Sequence, residues 1–306
     1  MNKILVFLLL GFGVKAQSIY HKAFGDPKAE PILFLHGGPG GSAIDFEVST
    51  AKALSEKGYY VVLYDRRGEG RSDTDDAKYT LEQTFSDIDS LCGAYGIKSV
   101  NLIGHSFGGM LAIKYAVARP EKVKRIVLAA APIDLQASLR AVHQRVAVKG
   151  DSAAKAQLAF VLKQDSASIY YSSGTFMLAM QNGVYTSPTL SEEGKARHAA
   201  FYSDPSVKSY MEKQAATKYK TMYQPSMGFV SNEKYTLMKL YQDFPKLQKI
   251  PVFGIYGKDD GLFDEAQLSK IATYSSGGFV LLNNCSHTLY LDAQEEFIEL
   301  LTAWLR

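Results

Sequence analysis

The sequence predicts an α/β chain: a mostly parallel central sheet flanked by helices, interrupted by a helical insertion. Three observations predict it. Short runs rich in apolar residues recur at residues 32–35, 60–64, 99–103, 123–128, 252–256 and 279–282. Runs of this length without polar alternation read as strands buried on both faces, as in parallel sheets. Segments with helical spacing separate them, giving the strand–helix alternation of βαβ units. The alternation stops near Ile133 and resumes at Pro251, and the chain between looks helical.

The elements follow in order. Residues 18–24 form a candidate first strand. Ile32–Leu35 is a compact strand leading into His36-Gly37-Gly38-Pro39-Gly40-Gly41. A helix is expected from Phe46 to Lys57, stopped by Gly58, and then the strand Tyr60–Tyr64. A turn-rich, charged loop follows at residues 65–72. Residues 80–95 have helical spacing, with Thr80 as N-cap and Gln83 at the capping-box position. The strand at 99–103 precedes Gly104-His105-Ser106-Phe107-Gly108, and a helix over 109–118 ends before Pro120. After the strand at 123–128 comes the insertion, placed at 134–249. The strand at 252–256, a helix, the strand at 279–282 and one last helix from Leu289 to Leu305 complete the chain.

With 306 residues, 46% hydrophobic and 21% charged, the composition is that of a globular protein. The net charge is +3 with no block of lysine or arginine, so composition makes no case for nucleic acid as a partner. The first residues differ from the rest. Met1-Asn2-Lys3 is basic, residues 4–12 are nearly all apolar, and Val14-Lys15-Ala16 offers small residues before Gln17. This reads as a secretory signal peptide (residues 1–16) cleaved after Ala16, with an exported, periplasmic or secreted product and no stable membrane insertion afterwards. Cleavage removes Lys3 and Lys15 and lowers the net charge from +3 to +1. The units are then 17–133 and 250–306 for the two parts of the core, with 134–249 inserted. The two cysteines, Cys92 and Cys285, read as buried free thiols and have no metal-site spacing.

The chemistry centres on Gly104–Gly108. A strand, a sharp turn and a helix place Ser106 at the sheet edge near the positive end of a helix. A serine hydroxyl is a poor nucleophile and needs a base, which in turn needs a group to orient it. Of six histidines, His287 alone sits in a loop after the last strand. His21 and His36 precede the serine, His105 adjoins it and should point elsewhere, and His143 and His198 fall in the insertion. The loop after the strand at 252–256 carries Asp259 and Asp260. Both loops lie at C-terminal strand ends, where open α/β sheets bind ligands. An oxyanion formed at the serine needs preorganised N–H donors. The N–H of Phe107 is one, and the glycine-rich loop supplies the other, assigned to Gly38. That loop lacks the spacing and lysine of a phosphate-binding loop. In the charged loop, glycines make the turn and Asp65 pairs internally with an arginine. No metal or organic cofactor is expected.

These segments together resemble the α/β-hydrolase superfamily, and within it the proline iminopeptidase-like (prolyl aminopeptidase) subgroup. The resemblance rests on His36-Gly37-Gly38-Pro39-Gly40, on Asp65-Arg66-Arg67-Gly68-Glu69-Gly70-Arg71-Ser72, and on the elbow Gly104–Gly108. It covers residues 30–130 strongly and 250–306 fairly well. It implies the α/β-hydrolase fold, the chain order Ser, Asp, His, and a Gly-x-x-Asp pattern that selects Asp260, leaving Asp259 as a solvated neighbour. It also implies a helical cap whose carboxylates hold a substrate's N-terminal amine. Glu192, Glu193, Glu212 and Glu233 are the candidates, with no choice among them. The insertion departs from the family in lacking tryptophan and in being basic, with 15 Lys and Arg against 9 Asp and Glu.

The resulting expectation is a serine hydrolase working through an acyl-enzyme. The first reading is an aminopeptidase releasing an N-terminal proline or other small residue from a short peptide. The alternative is an esterase or other acyl hydrolase acting on a small molecule with the same triad. A catalytically silent binding protein ranks last, because nucleophile, base and acid are all present.

Overall fold

The computed structural model describes residues 19–72 and 74–305. The expected signal segment and its cleavage point lie outside the described residues. Among the described residues no helix is long and apolar enough to cross a membrane.

Seven strands form one sheet: β1 (His21–Phe24), β2 (Glu30–Leu35), β3 (Tyr59–Tyr64), β4 (Val100–His105), β5 (Val123–Ala129), β6 (Val252–Gly257) and β7 (Gly278–Leu282). Their spatial order is β1-β3-β2-β4-β5-β6-β7. β1 runs antiparallel to β3, with His21 opposite Tyr64, and every other pairing is parallel. The apolar character of these runs has a direct cause here. β3, β4 and β6 are buried along their whole length, whereas the edge strands β1 and β7 are partly exposed. The chain leaves β2 toward β3 on one side and β4 toward β5 on the other. Winding therefore reverses between β2 and β4, which opens a crevice at their C-terminal ends.

The segment between β5 and β6 is helical. Its longer members are Leu135–Lys149, Ser152–Val161, Ile169–Gln181, Glu192–Ser203, Pro205–Lys218 and Gln224–Glu233. The first four start on Asp134, Asp151, Ser168 and Ser191, whose side chains each accept an N–H of the first turn. The segment is tied down at distant points. Lys114 pairs with Asp243 at 2.7 Å, and Arg197 donates to the carbonyls of Leu291 (2.9 Å) and Asp292 (3.0 Å).

Three local expectations change. The helix expected over 46–57 runs from Ile44 to Glu56 and widens to a π-helical stretch at Glu47–Ala51. Tyr20, Lys22 and Arg71 all converge on the Glu47 carboxylate there. Thr80 caps the helix Leu81–Ala94 by accepting Gln83 N–H at 3.2 Å, but the capping box is not closed. The Gln83 side chain instead binds Lys78 N–H and the Asp76 carbonyl. The last helix is broken in two, Leu289–Asp292 and Gln294–Trp304, with Ala293 at φ −135° and ψ 54°. The break is adjacent to the Leu291 and Asp292 carbonyls that Arg197 engages.

Candidate active site

Ser106 sits between β4 and the helix Phe107–Ala118 with φ 51° and ψ −122°. Positive φ in a non-glycine residue costs about 1–3 kcal/mol, which the surrounding structure must offset. Its N–H is held by the Ala129 carbonyl of β5 at 2.9 Å. Gly108 is required by close approach, since a Cβ there would collide with the Leu35 carbonyl of β2. The strand-to-helix turn thus fits only because the chain around the serine is small.

The structure brings His287 and Asp260 together. His287 Nδ1 lies 2.8 Å from Asp260 Oδ2, and the carboxylate is buried. A carboxylate only accepts, so Nδ1 carries the proton and Nε2 is left as the basic nitrogen. The other Asp260 oxygen accepts Leu262 N–H at 3.0 Å, which fixes the carboxylate plane. The Tyr185 ring from the insertion packs on the imidazole, with centroids 5.1 Å apart. Asp259 is more than a solvated neighbour. Its Oδ2 accepts Ser187 Oγ–H (2.6 Å) and Thr189 Oγ1–H (2.9 Å), so it pins a loop of the insertion.

The glycine-rich loop is held from beneath. Arg66 and Glu69 form a buried two-point ion pair, with both Arg66 Nε and Nη2 at 2.9 Å from Glu69 oxygens. Arg66 donates to the carbonyls of His36 and Gly37, each at 2.5 Å, and Glu69 accepts Gly40 N–H at 2.6 Å. His36 Nδ1–H donates to the Gly37 carbonyl at 2.8 Å, and Nε2 accepts Arg66 N–H at 3.0 Å. Burial and the Arg66 charge hold the His36 imidazole well below its usual pKa, so it stays neutral. The internal pair expected for Asp65 is with Arg71, at 2.8 Å.

Ser106, His287, Gly38 and Phe107 line one cavity of about 460 Å³ between core and insertion. Its walls are mainly apolar, with Met177, Met180 and Met222 from the insertion facing Met110 and Phe107 of the core. None of the four candidate glutamates lines it. Glu192 is exposed and pairs with Lys195. Glu193 and Glu212 are also exposed. Glu233 accepts Leu81 N–H at 2.8 Å, closing the start of a core helix. Among the described lining residues there is no aspartate or glutamate. Sequence reading missed the methionine wall and Tyr185, because spaced methionines on polar helices carry no distinctive pattern. Cys92 and Cys285 are buried free thiols.

A profile described as the alpha/beta hydrolase fold matches residues 30–294. The proline iminopeptidase of Lactobacillus delbrueckii subsp. bulgaricus is 26% identical over 286 residues, covering 90% of this chain and 89% of that one. Among solved structures, the proline iminopeptidase of Mycobacterium smegmatis aligns with TM-score 0.67 and 19% identity, over 94% of both chains. A structure from work on carboxylesterases of Nitrososphaera gargenis aligns with TM-score 0.60 and 20% identity, over 95% of this chain and 96% of that one. The chain belongs to the α/β-hydrolase fold family, and within it is similar in sequence to the proline iminopeptidases.

Proposed function

We propose that the protein is a serine hydrolase acting through an acyl-enzyme on esters or amides whose acyl part is apolar and uncharged. One observation carries the reading: Ser106 and the His287–Asp260 pair open onto an apolar cavity with no carboxylate among its described lining residues. In this reading Ser106 Oγ attacks the carbonyl while His287 Nε2 takes its proton. Asp260 holds the imidazole tautomer and stabilises the imidazolium. The N–H of Phe107, the first of its helix and without an intrahelical partner, and that of Gly38 receive the oxyanion. His287 then protonates the leaving group, and water releases the acyl group by the same route.

The second reading is an aminopeptidase removing N-terminal proline. It is favoured by the similarity to the L. delbrueckii proline iminopeptidase along 90% of the chain. A free ammonium group in the cavity would need an acceptor with charge or a free carbonyl. The His36 and Gly37 carbonyls already accept from Arg66, which is why the geometry favours the uncharged substrate.

The test is an assay on a short nitrophenyl ester, a proline arylamide and the same arylamide blocked at nitrogen, with Ser106→Ala as control. Turnover of the ester and the blocked amide, lost in Ser106→Ala, supports the first reading. Turnover of the free-amine arylamide alone replaces it with the second. Activity surviving in Ser106→Ala refutes both.

A further inference from the structure

Beneath the site, four groups form a chain that the serine chemistry does not use. Asp45 Oδ2 lies 2.6 Å from Tyr290 Oη. Tyr290 Oη lies 3.3 Å from His105 Nδ1. His105 Nε2 lies 2.9 Å from the carbonyl oxygen of His287. The chain runs from the start of a core helix to the residue before Ser106 and on to the loop that carries the base. His105 also underlies the glycine-rich loop: a Cβ on Gly37 would approach its Nδ1 to 3.0 Å. The His105 and His287 rings are 4.9 Å apart.

The protons can be counted. The last gap ends on a carbonyl, which only accepts, so Nε2 of His105 carries a hydrogen. Burial and the nearby His287 push the His105 imidazole down to about 3, so it is neutral and Nδ1 must accept. The hydrogen on Tyr290 can fill one gap, toward Asp45 or toward His105, but not both. Three gaps therefore need three protons, and Tyr290 and His105 bring two.

We infer that Asp45 supplies the third proton on Oδ2, and that Asp45, Tyr290 and His105 are positioning residues that hold the His287 loop. With Asp45 protonated, every bond points one way: Asp45 to Tyr290, Tyr290 to His105, His105 to the His287 carbonyl. The other Asp45 oxygen fits this arrangement as the unprotonated one, since Oδ1 accepts Phe46 N–H at 2.8 Å. With Asp45 ionised, the Tyr290 hydrogen turns to the carboxylate and His105 Nδ1 faces an oxygen lone pair. The energetics agree. Burial outweighs the lowering hydrogen bonds from Tyr290 and Phe46, and the Asp65 carboxylate adds to it, raising Asp45 to about 6. The other titratable groups facing the chain are Asp65, itself paired with Arg71, and Tyr210 beside Asp45; Asp292 beside Tyr290; and His36 and His287 beside His105.

The link to catalysis rests on the serine-hydrolase reading, whereas the proton chain does not, so two readouts separate them. The first is a pH titration of the full chain labelled with ¹⁵N in histidine, from pH 4.5 to 8.5. His105 should stay protonated at Nε2 throughout, and its Nδ1 signal should move with a midpoint near the value of about 6 for Asp45. Asp45→Asn should abolish that movement, and so should Tyr290→Phe. A flat Nδ1 signal in the wild type overturns the chain. So does a movement that persists unchanged in Asp45→Asn, because it then has a source other than Asp45. The second readout is the rate at which a fluorophosphonate labels Ser106. It is read at each pH as the ratio of Asp45→Asn to wild type. That ratio should be near 1 at pH 5 and rise to about 3- to 10-fold at pH 8, the worth of one hydrogen bond. A ratio independent of pH overturns the link to catalysis. If the wild type is not labelled at all, the serine-hydrolase reading fails, and the titration still decides the chain.

Discussion

Replacing Glu69 by glutamine removes one negative charge and one acceptor at a point where neither can be replaced by water. The Glu69 side chain is 0% exposed and its partner Arg66 is 3% exposed. Three donors converge on the carboxylate: Arg66 Nε, Arg66 Nη2 and Gly40 N–H, at 2.9, 2.9 and 2.6 Å. Glutamine offers one oxygen and turns an N–H₂ toward the remaining donors. The Arg66 charge is then buried without compensation, which costs about 3–5 kcal/mol. That is a large part of the roughly 5–15 kcal/mol by which a domain is stable. A urea melt should show the midpoint falling by about 1 M or more. Because Arg66 and Glu69 set the His36–Gly40 backbone, the labelling rate of Ser106 should fall by about 10²-fold, as when an oxyanion donor is lost. Replacing both partners by apolar residues, Arg66→Met with Glu69→Leu, should recover much of the stability. It should not recover the rate, since the His36 carbonyl and Gly40 N–H lose their partners. The exposed pair Lys195–Glu192 is the control, and Glu192→Gln should change nothing measurable. If Glu69→Gln melts with the wild type and labels at the same rate, the account of how this loop is held is wrong.

Four further outcomes follow from the same geometry. Asp260→Asn should lower turnover by about 10⁴-fold through the wrong imidazole tautomer, whereas Asp259→Asn should keep the chemical step and loosen only the Ser187–Thr189 loop; equal losses in kcat would show that the acid is misassigned. Gly108→Ala places a methyl group against the Leu35 carbonyl, and should cost about 3 kcal/mol or more by denaturant melt. Burial pushes the Cys92 thiol up to about 11 and raises Cys285 further, so neither should react with a thiol reagent at pH 8 until the chain is unfolded; prompt labelling of the native protein would contradict that burial. Asp45 is raised from its usual 3.8 to about 6 on folding, so the stability it contributes is full below 3.8 and is lost as pH rises through 6. Asp45→Asn should therefore stabilise the fold relative to wild type at pH 8 by about 2 kcal/mol, read as a higher Tm, and give little gain at pH 4.

What could be read from the sequence, and what could not, divides along a physical line. β3 and β6 are flanked by strands on both sides and buried along their whole length, so each is apolar on both faces, and such an apolar run is a signal confined to five or six neighbouring residues. Ser106, His287 and the Asp259-Asp260 pair stand just past such runs, so the topology alone delivers them to one end of the sheet. Choosing Asp260 over Asp259 already needed more than spacing, because what separates them is partners: the His287 imidazole for one, two hydroxyls of the insertion for the other. The break at Ala293 has no local signal either, since the neighbouring carbonyls meet an arginine 94 residues away at the nearer of the two. Tyr290 and Asp45 are 245 residues apart, and an acidic residue near the start of a helix is unremarkable until the tyrosine lies above it. The four glutamates fail in the opposite way. A carboxylate on a helix satisfies solvation as readily as it satisfies a ligand, so its presence in the insertion carried no information about the direction it faces. The methionines have the same ambiguity with the reverse result: Met180 is 71% exposed yet lines the cavity. A flexible apolar side chain held at the mouth of an apolar cavity has no partner in its own chain to satisfy. The part of the protein least legible in sequence is thus the part whose partner is the substrate, and the choice between ester and free-amine peptide lies there rather than in Ser106, His287 or Asp260.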